Sequence, residues 1–170
     1  MMNIIETDRL VLRKLTLDDA GFILDLLNQP SFIQFIGDRG VRTLDDARDY
    51  LSKRLINSYE RFGFGLYLTL LRESGIPIGI CGLVKRELLE DVDVGFAFLP
   101  QYWSKGYAFE SAFAVLAYAG NTMGLKRIVG IATPDNHGSI RVLEKIGLQF
   151  EKMVKLSEDD VELKLFALDL

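Results

Sequence analysis

A chain of 170 residues with 20 basic and 24 acidic side chains, net charge −4, and 49% hydrophobic residues has the make-up of one globular domain, 1–170. It does not resemble a disordered segment, which combines low hydrophobicity with high net charge. The lone cysteine, Cys81, excludes an internal disulfide, the lone histidine, His137, excludes a multi-histidine metal site, and a pI near 5.1 argues against non-specific nucleic-acid binding.

The chain reaches Glu6 and Asp8 before any apolar run develops, so no export signal is expected. Arg9-Leu10-Val11-Leu12-Arg13 alternates charged and apolar side chains and reads as a half-buried strand. Thr16 with Asp19, and again Thr43 with Asp46, have the spacing of a capping box in which Asp replaces the usual Glu. Leu17, Ala20, Ile23, Leu24 and Leu27 recur at helical spacing until Pro30 stops the pattern. Leu44, Ala47, Leu51 and Leu55 form the stripe of a second helix that ends before Gly63. Residues 64–71, 77–85 and 92–99 read as an antiparallel meander. Gly106 opens a long apolar helix to about Thr122; its most apolar part, 108–119, is well short of the ~20 residues that span a bilayer. No membrane partner is expected, and with one cysteine the cytoplasm is the expected location. Residues 127–133 form an Ile/Val-rich strand, 139–146 a short helix closed by Gly147, and 150–156 and 161–168 weaker strands. A helix between strands 92–99 and 127–133 implies a parallel crossover. The expected fold class is α/β (α+β), a mixed, mostly antiparallel sheet of six to seven strands with helices on both faces.

The chemistry concentrates where strand 92–99 gives way, through Pro100, Gln101, Tyr102, Trp103, Ser104, Lys105 and Gly106, to the helix beginning at Tyr107 and Ala108. The first turn of a helix has unpaired N–H groups and the positive end of the macrodipole, so a loop feeding it can wrap a phosphate. Gly106 permits close backbone approach and Lys105 adds charge. The pattern is neither a P-loop nor a dinucleotide-binding turn, because the required glycine spacing is absent. Taken alone, it is suggestive only, because strand–glycine–helix turns are common.

Tyr102-Trp103-Ser104-Lys105-Gly106-Tyr107-Ala108, with Glu110 and Ala112, resembles the pyrophosphate loop of GNAT N-acetyltransferases, and is most similar to the RimJ/RimL branch, whose usual wording has Gly where Ser104 stands. The opening segment Thr7-Asp8-Arg9-Leu10-Val11-Leu12-Arg13, the strand segments Ile78-Gly79-Ile80-Cys81-Gly82 and Asp93-Val94-Gly95-Phe96, and the stretch from Asn136-His137-Gly138-Ser139 to Gly147-Leu148 resemble that branch in the same order. The resemblance implies a twisted sheet whose parallel pair splays apart to bind acetyl-CoA, used as acetyl donor without a metal. It implies that the backbones of Trp103, Ser104, Lys105, Gly106, Tyr107 and Ala108 hold the pyrophosphate. It further implies that the backbones of Phe96 and Phe98 pair with pantetheine, and that Asn136 and Ser139 contact the cofactor. For the side chains of Phe96 and Phe98, an ordinary core position is compatible with this.

The same resemblance makes Asp93 a candidate to take the proton of the attacking amine, with a structural surface carboxylate as the alternative. Glu87, Glu90 and Asp91 beside it would give the entrance an acidic character. Leu143 stands where many relatives have the tyrosine that protonates the leaving thiolate. Ser139 is the nearby hydroxyl for that role, or else a helix N-cap, or solvent serves. Trp103 reads as a loop-packing residue, His137 as a turn residue and Cys81 as a buried structural thiol. The expected partner is an amine acceptor, either the α-amine of a protein or peptide or a small-molecule amine, bound between the first two helices and loops 31–42 and 87–91. A non-catalytic acyl-CoA sensor is the alternative that Leu143 leaves open. The branch's habit makes a homodimer an expectation as well.

Overall fold

Two threonines set the first helices as their spacing predicts, in a computed structural model that describes residues 3–170. Met1 and Met2, the start of the segment read as lacking an export signal, lie outside the described residues. Thr16 accepts from the Asp18 N–H at 3.3 Å, and Asp19 returns the bond by accepting from the Thr16 N–H at 2.8 Å. Thr43 and Asp46 repeat the exchange at the second start. A short 3₁₀ turn leads from the first box into α1 (Ala20–Leu27). Pro30 begins α2 (Pro30–Phe35) instead of only stopping α1, because its missing N–H costs nothing at the first helical position. From the second box, α3 (Leu44–Tyr50) runs through a π segment, Leu51–Ile56, into α4 (Asn57–Phe62), which Gly63 closes at φ 79°.

The strands are β1 (Asn3–Glu6), β2 (Leu10–Arg13), β3 (Leu66–Leu71), β4 (Pro77–Val84), β5 (Val92–Phe98), β6 (Arg127–Ala132), β7 (Gln149–Val154) and β8 (Leu163–Asp169). They form one sheet in the order β1-β2-β3-β4-β5-β6-β8-β7. The count is eight, not six to seven, because Asn3–Glu6 pairs with β2, although Asn-Ile-Ile-Glu lacks the alternation that marks a strand in sequence. All neighbours are antiparallel except β5 and β6, joined by the expected crossover through α5 (Tyr107–Asn121). The helix after β6, α6, spans His137–Lys145.

One core cluster lies between the sheet and α5–α6; it includes Cys81, Leu83, Val94, Phe98, Ala112, Val115, Leu116 and Leu143. A second lies between the opposite face and α1–α4; it includes Ile23, Leu26, Leu51, Leu55, Leu68, Ile80 and Leu99. Each fully buried leucine of this kind stabilises the fold by roughly 1.5–3 kcal/mol of transfer free energy. Along α5, Ala112, Val115, Leu116 and Ala119 are buried at helical spacing, and the two alanines let the helix sit close to the sheet. Among the described residues no helix is long and apolar enough to cross a membrane.

Candidate active site

Antiparallel pairing makes successive residues of a strand alternate between hydrogen bonding to one neighbour and to the other. The Leu99 N–H donates to the Ile78 carbonyl at 3.0 Å, and the register then runs without a shift through Phe98↔Gly79 and Phe96↔Cys81 to Asp93↔Val84. Ala97, Gly95 and Asp93 therefore bond to β4, while the backbone groups of Phe98, Phe96 and Val94 point towards β6. Yet the β5–β6 ladder holds only Val92↔Ile128 and Asp93↔Val129. Past Asp93 the parallel pair has splayed, and the Phe96 and Phe98 backbones face the opening. The two side chains pack into or against the core on the α5 face.

At the wide end of this opening sits the 102–108 loop. Gly106 is the N-cap of α5 at φ 83°, supplying no side-chain cap, and Ser104 at φ 62° is the one non-glycine residue with positive φ among the described residues. Successive turns of this hand aim backbone N–H groups into a concave anion-binding nest. Trp103 turns its indole N–H back to the Phe98 carbonyl at 2.9 Å, which ties the loop to the strand it leaves. Ser104, Lys105 and Gly106 are exposed, while Tyr107 and Ala108 are half-buried against the core.

A brace on this loop was invisible in the sequence. Arg9 donates to Glu110 Oε1 at 2.7 Å and to the Lys105 carbonyl at 2.9 Å, and its guanidinium lies 4.5 Å from the Tyr107 ring centroid. Thr7 Oγ1 and the Arg9 N–H both donate to Glu110 Oε2. Burial alone would raise the Glu110 carboxyl, but these donors outweigh it and hold it below its usual range. The opening Thr7-Asp8-Arg9 motif and Glu110 are thus one structural unit.

Asp93 faces the α1–α4 side and is buried, with its Oδ2 accepting from Arg86 Nε at 2.7 Å. Burial pushes its carboxyl up to about 6, against the lowering pull of the Arg86 guanidinium. It is not a surface carboxylate. Ser139 lies on α6, across the sheet, so Asp93 and Ser139 flank the splay from opposite faces. The capping role considered for Ser139 belongs to Asn136, whose Oδ1 accepts from the Ser139 N–H at 3.3 Å; α6 begins at His137, two residues before the expected start. Asn136 and Ser139 are half-buried, and His137 is exposed. Leu143 is 1% exposed, packed so closely on Gly130 that a Cβ there would meet its Cδ2 at 2.6 Å. Cys81 is buried, its thiol pushed up to about 12 by burial, and takes the structural part expected of it.

Beside Asp93, a cleft of about 840 Å³ opens between the α3–α4 run and the turn after β4, lined among others by Tyr50, Asn57, Leu66, Val84 and Arg86. Its entrance is not acidic. Asp91 is engaged by Arg127 Nε at 3.0 Å, and Glu87 is the one carboxylate on the lining.

A strand that turns unpaired backbone groups into a gap, a helix N-terminus of left-handed turns at one end of that gap and a cleft on the far face are the features expected of a protein that binds a phosphate-bearing carrier and passes its group to an acceptor. The donors present fit acetyl-CoA: N–H groups in the nest for the pyrophosphate, with exposed Lys105 beside them, and free strand groups for the pantetheine amides. Among the described residues no cluster of three or more His, Cys, Asp or Glu could hold a metal ion. The chain belongs to the GNAT acetyltransferase family, since the sequence model of the acetyltransferase (GNAT) domain matches residues 9–149. It is 31% identical over 151 residues to the uncharacterized N-acetyltransferase YnaD of Bacillus subtilis, covering 89% of this chain and 85% of YnaD. Among solved structures it is similar to a GNAT-family acetyltransferase from Bacillus anthracis, at 27% identity and a TM-score of 0.80, covering 99% and 98% of the two chains. It also superposes on RimL, a ribosomal L7/L12 alpha-N-protein acetyltransferase solved with coenzyme A, with a TM-score of 0.86 over 99% and 98% of the chains; at 17% identity this is a likeness of fold. The protein is an acetyl-CoA-dependent N-acetyltransferase that moves acetyl to an amine.

Proposed function

We propose that the acceptor is a primary amine, the α-amine of a peptide or protein or that of a small molecule, and that it attacks the thioester directly in a ternary complex in the cytoplasm, with the enzyme acting as a homodimer. The observation that carries this reading is the open backbone edge at Phe96 and Phe98, one end running into the Ser104–Gly106 nest and the other reaching Asp93. Acetyl-CoA, when bound, supplies an acetyl group already activated as a thioester. The N–H groups of the 103–108 loop bind its pyrophosphate, and Lys105 adds charge. The outward backbones of Phe96 and Phe98 orient the pantetheine, and a strand N–H polarises the carbonyl under attack. Asn136 fixes the start of α6, where Ser139 offers a hydroxyl to the departing sulfur.

An ammonium has no lone pair, so the proton must leave before attack. With its carboxyl near 6, Asp93 is mostly ionised at pH 7 and able to accept that proton. One oxygen stays with Arg86, leaving Oδ1 for the amine or a water between them. A CoA thiolate departs without a strong acid, so the buried Leu143 is compatible with turnover. The test is free-CoA release across a panel of amines and peptides, with acetyl-CoA binding measured alongside. Release that depends on the amine is expected; binding without release for every amine would overturn the reading in favour of an acyl-CoA sensor.

A further inference from the structure

The cleft beside Asp93 carries a charge opposite to that of the whole chain. The protein has a net charge of −4, yet six cations line this cleft, Arg39, Lys53, Arg54, Arg61, Lys85 and Arg86, against the single carboxylate Glu87. Two of the six are already neutralised, Arg86 by Asp93 at 2.7 Å and Lys53 by Asp49 at 3.2 Å. Arg39, Arg54, Arg61 and Lys85 have no carboxylate partner among the described residues. Lys85 donates only to the backbone carbonyls of Arg86 and Leu89, while Arg54 and Arg61 lie over the rings of Tyr50 and Phe62 at 5.9 and 5.0 Å. Holding like charges around one concavity raises their mutual repulsion, and that repulsion is relieved when an anion enters.

The arrangement is built by the fold. Residues 50, 54, 57 or 58, and 61 recur at helical spacing through the continuous α3–α4 run, which turns one face of that run to the cleft. Lys85 and Arg86 come from the turn after β4, with β3 and β4 between them and the helical run in sequence, and Arg39 from the segment after α2. The cleft lies on the same side of the sheet as Asp93 and touches it through Arg86, so an amine at Asp93 would have its body in this space. A polycation such as a lysine-rich tail would face four unpaired cations there.

We propose that this cleft is the selectivity determinant of the acceptor and that the preferred acceptor is a primary amine whose own body carries carboxylates, as in an acidic peptide with a free N-terminus or an acidic amino acid. This rests on the amine-acetylating reading above. The amine reaches Asp93 while its carboxylates pair with Arg54 and Arg61, whose planar forks match a carboxylate, and with Lys85 and Arg39 at the rim.

The test compares kcat/KM, at fixed saturating acetyl-CoA, for free glutamate, a tetrapeptide with glutamates at its second to fourth positions, the same peptide with glutamines, and spermidine. The glutamate peptide should exceed the glutamine peptide by roughly tenfold or more, the scale of one well-placed charge contact, and the gap should narrow as salt is raised past 0.1 M. Free glutamate as the better acceptor assigns the site to amino acids, and the peptide as the better assigns it to acidic N-termini; either supports the proposal. Arg54→Glu with Arg61→Glu should abolish or invert that ratio while acetyl-CoA affinity, read by titration, stays within about twofold. Equal rates for the glutamate and glutamine peptides, a preference for spermidine, or a double variant that keeps the wild-type ratio overturns it. Turnover of none of the amines would instead strike the amine-acetylating reading, with the charge preference then sought as competition for binding by the glutamate peptide against the glutamine peptide; equal competition would overturn the preference too.

Discussion

Asp93 is a carboxylate whose surroundings set its titration against the pull of its own partner. Burial raises it to about 6 although the Arg86 guanidinium beside it favours ionisation. The unfolded chain would titrate near 3.9. A raised folded value means that the protonated group favours the fold below about pH 4, and that this contribution is lost as pH rises through about 6. Asp93→Asn should flatten stability between those values in a urea melt followed against pH. It should also remove the rising limb of kcat/KM near pH 6 while acetyl-CoA affinity changes little; a limb that persists in the variant would take Asp93 out of the proton path. Ser104 offers a separate test. A non-glycine residue at φ 62° carries strain of about 1 kcal/mol, and glycine relieves it. Ser104→Gly should raise the urea midpoint by an amount equivalent to about 1 kcal/mol and keep acetyl-CoA binding, because the backbone donors stay in place. Lower stability would show that the serine side chain makes up for its backbone. The sequence marked Ser104 as a departure from its relatives, but the sign of φ, and with it the direction of the effect, came only from the folded loop.

Among the elements, β2 and the start of α5 were each legible, and the tie between the segment that leads into β2 and α5 was not. Capping boxes, the meander and the crossover follow from spacing within a few residues, and Thr16, Thr43, Gly106 and Gly147 stand where those rules place them. Arg9 and Glu110 are a hundred positions apart, and no local period connects them. The same separation hid the basic cleft, whose cations at 39, 54, 61 and 85 each look like ordinary solvated surface until the helical run and the β4 end are brought together. The brace holds the Lys105 carbonyl and the Tyr107 ring, and under the proposed assignment of residues 103–108 to the pyrophosphate it would keep the nest in shape before the cofactor arrives. Arg9 is half-exposed, so its pair with Glu110 contributes under about 1 kcal/mol to folding. Arg9→Ala should therefore leave the thermal midpoint within a few degrees while weakening acetyl-CoA binding several-fold, by isothermal titration. Equal affinity in the variant would reduce the brace to surface decoration.

At the scale of the molecule the sheet is two plates, β1–β5 and β6–β8, sharing a ladder of two residue pairs at Val92↔Ile128 and Asp93↔Val129. A parallel pair with both faces covered would ordinarily stay hydrogen-bonded along its length, since buried backbone groups are costly to leave unpaired. Here the pairing stops after Asp93, and the groups it leaves over are those of Phe96 and the Phe98 N–H, the Phe98 carbonyl being taken by the Trp103 indole. The β4 register decides which groups are left over, because Ala97 and Gly95 spend theirs on Ile80 and Gly82. Amide exchange followed by NMR reads the alternation directly. In the free protein the Ala97 and Gly95 amides should exchange slowly and those of Phe96 and Phe98 faster, by roughly tenfold or more, since only the former break a ladder bond to open. On adding coenzyme A, protection should rise at Phe96, Phe98 and the amides of residues 103–108, and stay level at Ala97 and Gly95. Uniform protection along β5 in the free protein would show that the plates are closed there. Protection gained at Ala97 in place of Phe96 would mean that the cofactor lies against a different edge of the sheet.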